Sequence, residues 1–173
     1  QTGFRVGGPI LKDKLFFFVN GEITRNISPV AFDPTVEGSG SRINIDELNR
    51  IINTVRRIAP SYDLGSYSAL NNETNSNKFL AKVDWNINKV HKLTLRHSYT
   101  YGESYSIGRG NNYLRFANNG VYFPSTTNST GVELNSNFGG KFANNLLLGY
   151  TTVRDDREPM GNPFPTIRIN NLS

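Results

Sequence analysis

The sequence predicts an all-β fold: an antiparallel up-and-down meander of about six strands, forming a partial transmembrane β-barrel with long extracellular loops, one of which carries a short helix. Three observations carry this expectation. Residues 78–101 alternate apolar and polar side chains along two strands joined by a short turn. Each of these strands is about ten residues, the length a tilted barrel strand needs to cross a bilayer, whereas soluble strands average about five or six. Short turns near 9–13, 88–91 and 140–145 alternate with long loops near 26–77, 103–125 and 158–173, and outer-membrane barrels follow this two-sided rule.

Composition agrees with that class. The hydrophobic fraction is 36% and the mean hydropathy is negative. The longest purely apolar run is residues 15–19, far short of the roughly 18 residues a membrane-spanning helix needs. Barrel strands escape that requirement because only about half of each strand faces lipid. The chain has no cysteine, which excludes disulfides, thiol catalysis and cysteine-rich zinc sites. Its net charge of +5 is spread through the sequence without a block of like charges, so nucleic acid is not an expected partner. The chain opens on Gln1-Thr2-Gly3 without a signal-peptide pattern and reads as mid-protein sequence.

The elements follow in order. Residues 2–6 read as a strand end that Gly7-Gly8-Pro9 breaks. Residues 14–25 form a strand with Leu15, Phe17, Val19 and Ile23 on one face. Phe16, Phe18, Asn20, Glu22 and Thr24 take the other. The extra phenylalanines at one end would sit in an interfacial aromatic girdle of a membrane barrel. Within the loop 26–77, Leu48, Ile51, Ile52, Val55 and Ile58 recur at helical spacing. Asn44 or Asp46 would cap that helix, Arg56 and Arg57 would end it, and Pro60 follows.

Residues 78–88 form the clearest strand. Phe79, Ala81, Val83, Trp85 and Ile87 share one face; Lys78, Leu80, Lys82, Asp84, Asn86 and Asn88 share the other. Residues 92–101 alternate likewise, with Leu93, Leu95, His97, Tyr99 and Tyr101 opposed to Lys92, Thr94, Arg96, Ser98 and Thr100. A second long hairpin spans 126–139 and 146–157, where Val132, Leu134 and Phe138 alternate on one arm and Leu146, Leu148 and Tyr150 on the other.

Three segments resemble one family when taken in order. The first is Gly7-Gly8-Pro9-Ile10-Leu11-Lys12-Asp13-Lys14-Leu15-Phe16-Phe17-Phe18. The second runs from Lys78-Phe79-Leu80-Ala81-Lys82-Val83-Asp84-Trp85-Asn86-Ile87-Asn88 to His91-Lys92-Leu93-Thr94-Leu95-Arg96. The third is Asn145-Leu146-Leu147-Leu148-Gly149-Tyr150-Thr151. Their order and spacing over most of the chain resemble the barrel of Oar-like TonB-dependent receptors. The resemblance implies import of large nutrients across a bacterial outer membrane, energised by TonB, through a plugged barrel of about 22 strands. It also implies that the plug, the TonB-contacting N-terminal part and the rest of the barrel wall are partners supplied outside these residues.

On this reading Phe79, Val83, Trp85, Leu93, Leu95 and Tyr99 face lipid, and Lys82, Asp84, Asn86, Thr94 and Arg96 face the lumen. Tyr101, Tyr105, Tyr113, Phe116 and Tyr122 are the candidate loop contacts to ligand. No catalytic site, metal site or cofactor is expected. His91 falls in a turn and His97 on an apolar face without further ligands in register. Asp155, Asp156 and Glu158 are flanked by Arg154 and Arg157, which favours ion pairing over cation binding. Gly108-Arg109-Gly110 is too short for a phosphate loop, and the Asn72 and Asn128 sequons are chance in an Asn-rich chain. Two other functions fit the same pattern: a soluble β-sandwich binding module, and a transporter-derived fragment that polymerises with copies of itself through its open strand edges.

Overall fold

A computed structural model describes residues 1–162 of the chain. The rest of the expected third loop, with Pro163 and Pro165, lies outside the described residues. The strands are β1 (Thr2–Leu11), β2 (Leu15–Pro29), β3 (Asn71–Asn86), β4 (His91–Ser106), β5 (Val121–Asn137), β6 (Ala143–Asp155) and a two-residue β7 (Glu158–Pro159). The one α-helix among the described residues is α1 (Ile45–Ile58). The strands form one open antiparallel sheet in the order β1-β2-β3-β4-β5-β6, with β7 beside the start of β5. The expected all-β meander is therefore present, and the described residues hold one sheet rather than the two of a sandwich.

Most strands run past their expected bounds at one end, while β3, β5 and β6 stop at Asn86, Asn137 and Asp155, short of the expected 88, 139 and 157. Gly7-Gly8-Pro9 does not break β1, which runs through to Leu11 with only a register irregularity between Pro9 and Leu11. β1 is an edge strand, where a proline lacking its N–H is tolerated. The first turn is thus confined to residues 12–14. β2 continues to Pro29 and β3 starts at Asn71, so the long loop spans 30–70 instead of 26–77; the second spans 107–120 instead of 103–125. These extensions are polar. Arg25 Nη2 donates to Asn77 Oδ1 at 2.8 Å and Asn75 Nδ2 to Glu103 Oε1 at 3.2 Å. Cross-strand polar pairs hold the tips where apolar alternation has ended.

The turns have local causes. Asn88 Oδ1 accepts the N–H groups of Val90 and His91, both at 2.8 Å, which closes the β3–β4 turn without glycine. The β5–β6 turn uses Gly139 and Gly140 at φ of 72° and 79°, a region other residues rarely enter.

The chain divides into two compact units. Unit 1 holds residues 1–25, 75–103 and 124–156, the greater part of the long strands. Unit 2 holds residues 26–74, 104–123 and those from 157 onward. The buried apolar side chains among the described residues, Val30, Leu48, Ile52, Val55 and Ile107, all belong to unit 2. In unit 1 only Gly21 and Ser136 are buried.

Helix α1 forms as its sequence predicts. Asn44 Oδ1 accepts from Asp46 N at 2.9 Å and Glu47 N at 3.2 Å, satisfying two orphan donors. Leu48, Ile52 and Val55 make the buried stripe, whereas Ile58, expected on it, is 66% exposed. Asn44→Ala is expected to destabilise the helix by about 1 kcal/mol, read as faster hydrogen exchange of its amides. Unchanged exchange would remove the capping role.

Candidate functional site

Hydrogen bonds between side chains fix which residues share a face of the unit 1 sheet. Lys78 Nζ meets Glu22 Oε1 at 2.8 Å, joining β2 to β3. Thr94 Oγ1 donates to Asp84 Oδ1 at 2.7 Å, joining β3 to β4 on the same face. On the opposite face, His91 Nδ1 shares a hydrogen bond with Ser136 Oγ at 2.7 Å, and His97 Nδ1 with Thr130 Oγ1 at 2.9 Å, joining β4 to β5. Strand pairing then extends both faces. Val6 lies opposite Val19, Val132 opposite Leu148, and Leu134 opposite Leu146.

The apolar face therefore carries Phe4, Val6, Phe17, Val19, Phe79, Val83, Trp85, Leu93, Leu95, Tyr99, Val132, Leu134, Leu146, Leu148 and Tyr150. The expected lipid-facing set lies on it in full. Phe79, Trp85, Leu95 and Tyr99 are exposed, while Val83 and Leu93 are half-buried by their neighbours. Aromatic groups stand near both ends. Phe138 stacks on Phe142 with centroids 4.4 Å apart and meets His91 edge-on at the turn end; Tyr99 and Tyr150 stand toward the other end. Phe4 lies across Gly21, where a Cβ would come within 2.5 Å of its ring.

The opposite face is polar and partly neutralised. Lys82 Nζ lies 2.8 Å and Lys92 Nζ 3.7 Å from the Asp84 carboxylate. Asn145 Nδ2 donates to Glu133 Oε1 at 2.7 Å and to Asn135 Oδ1 at 2.6 Å. The expected lumen-facing residues Lys82, Asp84, Thr94 and Arg96 share this face. Asn86 follows in register, its Nδ2 donating to the Asp13 carbonyl at 3.0 Å. Phe16 and Phe18 also lie here, opposite Pro9 and Gly7.

The expected loop aromatics do not make one cluster. Tyr101 belongs to unit 1, where its hydroxyl donates to Glu103 Oε2 at 3.0 Å. In unit 2, Tyr105 stacks on Tyr122 at 4.6 Å, and Tyr113 lies under the Arg115 guanidinium. Phe116 meets Tyr67 edge-on and, with Tyr62, Asp63, Ile52 and Arg56, helps line a small cleft of about 190 Å³.

The feature that sequence reasoning missed is a pair of buried charged residues in unit 2, Asp33 and Arg109, each held by its own hydrogen bonds. Asp33 Oδ1 accepts from Thr35 N at 2.9 Å and Thr35 Oγ1 at 2.7 Å, and Oδ2 accepts from Ala69 N at 2.7 Å. Burial opposes ionisation of Asp33. The hydrogen bonds from Thr35 and Ala69, with the charge of Arg109, outweigh it and hold the carboxyl below its ordinary range. Burial lowers the Arg109 pKa, and Asp33 counters that effect. Arg109 donates to the carbonyls of Arg115 and Tyr67, so Gly108-Arg109-Gly110 ties loop segments together. The Asp33-Pro34-Thr35 turn signature was the available signal for this hub.

Among the described residues no group of three His, Asp or Glu side chains is placed to hold a metal ion. Asp155 instead accepts from Ser125 Oγ at 2.6 Å, and Arg157 lies over the Phe123 ring. No helix among the described residues is long and apolar enough to cross a membrane. No protein-family model matches the chain, and no curated protein or solved structure matches it.

Proposed function

We propose that this chain is part of the wall of a TonB-dependent outer-membrane transporter that imports large nutrients, completed by further strands and a plug. One observation carries the reading: a mostly apolar, partly exposed face, broken by His97 and Thr130 and with aromatic groups near both ends, backs onto a more polar, ion-paired face. A sheet with no buried apolar side chain in its own unit needs cover for that face. The band runs about 26 Å along β4 from His91 to Tyr99 and about 20 Å along β3 from Phe79 to Trp85. At a barrel tilt near 40° the longer run is about 20 Å of height, close to the roughly 25 Å apolar band of outer-membrane barrels.

Trp85 is the sole tryptophan and stands on the apolar face, so it reports on that face directly. With the chain folded in vesicles, Trp85 emission is expected to shift to shorter wavelength and to be quenched by lipids brominated on their acyl chains. Emission that stays water-like and unquenched would refute the reading.

A second reading is favoured by β6, every residue of which from Ala143 to Asp155 is exposed. Such an edge is a template for another chain, and copies paired through it would build a β-rich fibre. Electron micrographs of filaments from purified chain, against monodisperse particles, decide between the two readings.

A further inference from the structure

The turn end of unit 1 concentrates the charge of the chain. Lys12 and Lys14 sit in or beside the β1–β2 turn, Lys89 in the β3–β4 turn, Lys92 just after it, and Lys141 in the β5–β6 turn. All five lysines are exposed, and Asp13 is the one acidic residue among these turns. The whole chain has 19 basic and 14 acidic residues, so setting these five and one aside leaves 14 against 13. Lys92 shares the Asp84 carboxylate with Lys82, while the turns themselves carry Lys12, Lys14, Lys89 and Lys141 against Asp13, a local excess of three positive charges. The apolar residues beside it are exposed too: Ile10, Leu11, Phe138 and Phe142 at 41–61%. Lysines next to exposed aromatic and aliphatic side chains suit the boundary between headgroups and acyl chains, where rings and hydrocarbon stems enter and ammonium groups stay with the phosphates.

We infer that the short-turn end of unit 1 is a docking surface for anionic phospholipid headgroups. The inference rests on the transporter-wall reading and adds to it a lipid class. Recognition is electrostatic. Each lysine held at an anionic surface strengthens binding about fivefold, and salt screens the effect.

The test uses the full chain with vesicles of phosphatidylcholine alone and vesicles containing about one-third phosphatidylglycerol. Co-sedimentation is expected to show at least about tenfold tighter binding to the anionic vesicles. The combined substitutions Lys12→Gln, Lys14→Gln, Lys89→Gln and Lys141→Gln should abolish that preference. Removing equal charge elsewhere, by Arg42→Gln, Arg50→Gln, Arg56→Gln and Arg57→Gln, should leave it intact, with circular dichroism verifying the β-sheet in both variants. Equal binding to both vesicle types, or equal loss from both sets of substitutions, overturns the inference. Trp85 quenching in the same samples separates the two failures. If quenching is absent in every vesicle the wall reading fails, whereas quenching without a lysine-dependent preference removes only the headgroup contact.

Discussion

Leu95→Arg is expected to destabilise the membrane-inserted chain by about 2–4 kcal/mol, the cost of an arginine on the lipid face near the bilayer midplane. Leu95 lies midway between His91 and Tyr99 on the apolar face and is 43% exposed. In a water-facing sheet the same substitution would cost within about 0.5 kcal/mol, as exposed positions generally do. The neighbouring Thr94→Arg supplies the control. Its side chain projects to the opposite face beside Asp84, where a new ion pair offsets the lost hydrogen bond, and a change within about 1 kcal/mol is expected. Reversible denaturant unfolding in vesicles measures both. Equal costs for the two variants would sink the assignment of the faces.

Asp33→Ala is expected to destabilise unit 2 by about 1–3 kcal/mol. It leaves Thr35 N, Thr35 Oγ1 and Ala69 N without their acceptor and removes the charge that offsets buried Arg109. Arg109 Nη1 already has no hydrogen-bond partner among the described residues, so the guanidinium has little further compensation to draw on. The readout is hydrogen exchange at Ala69 and in α1, with the strands of unit 1 as an internal reference. The pH dependence has a definite sign. The Asp33 carboxyl is held below its ordinary value of 3.8, so its stabilisation is complete above about pH 4 and is lost as pH falls through the folded-state value. Protection of the Ala69 amide, its exchange relative to the unfolded-chain rate at the same pH, should therefore fall below about pH 4 in the native chain and lose that dependence in Asp33→Ala. Acid-insensitive protection in the native chain would exclude the ionised hub.

What was legible in the sequence is what repeats. Alternation from Phe79 to Tyr101 placed a hairpin and sorted its two faces, because a period of two has only one geometric meaning. The helical spacing of Leu48, Ile52 and Val55, with Asn44 ahead and Pro60 behind, placed α1. Features without a period were misjudged. Asn71–Asn77 looked like loop because polar strand tips show no alternation, and their extension depends on partners such as Arg25 and Glu103. Gly7-Gly8-Pro9 looked like a breaker because its tolerance depends on β1 lying at an edge. Asp33 holds Ala69 and Arg109 holds Tyr67, contacts between segments distant in the chain that only the fold of unit 2 brings together. Which of the loop aromatics share a unit is likewise not legible in composition: Tyr101 lies with the strands of unit 1 and Phe116 lines the cleft of unit 2.

The buried apolar side chains are unevenly distributed between the units. Val30, Leu48, Ile52, Val55 and Ile107 give unit 2 an interior of its own. The sheet of unit 1 has no such interior, and exposed apolar faces with unpaired strand edges are the condition in which chains aggregate. On the transporter-wall reading proposed above, the yield of folded chain is expected to rise when lipid is present during refolding.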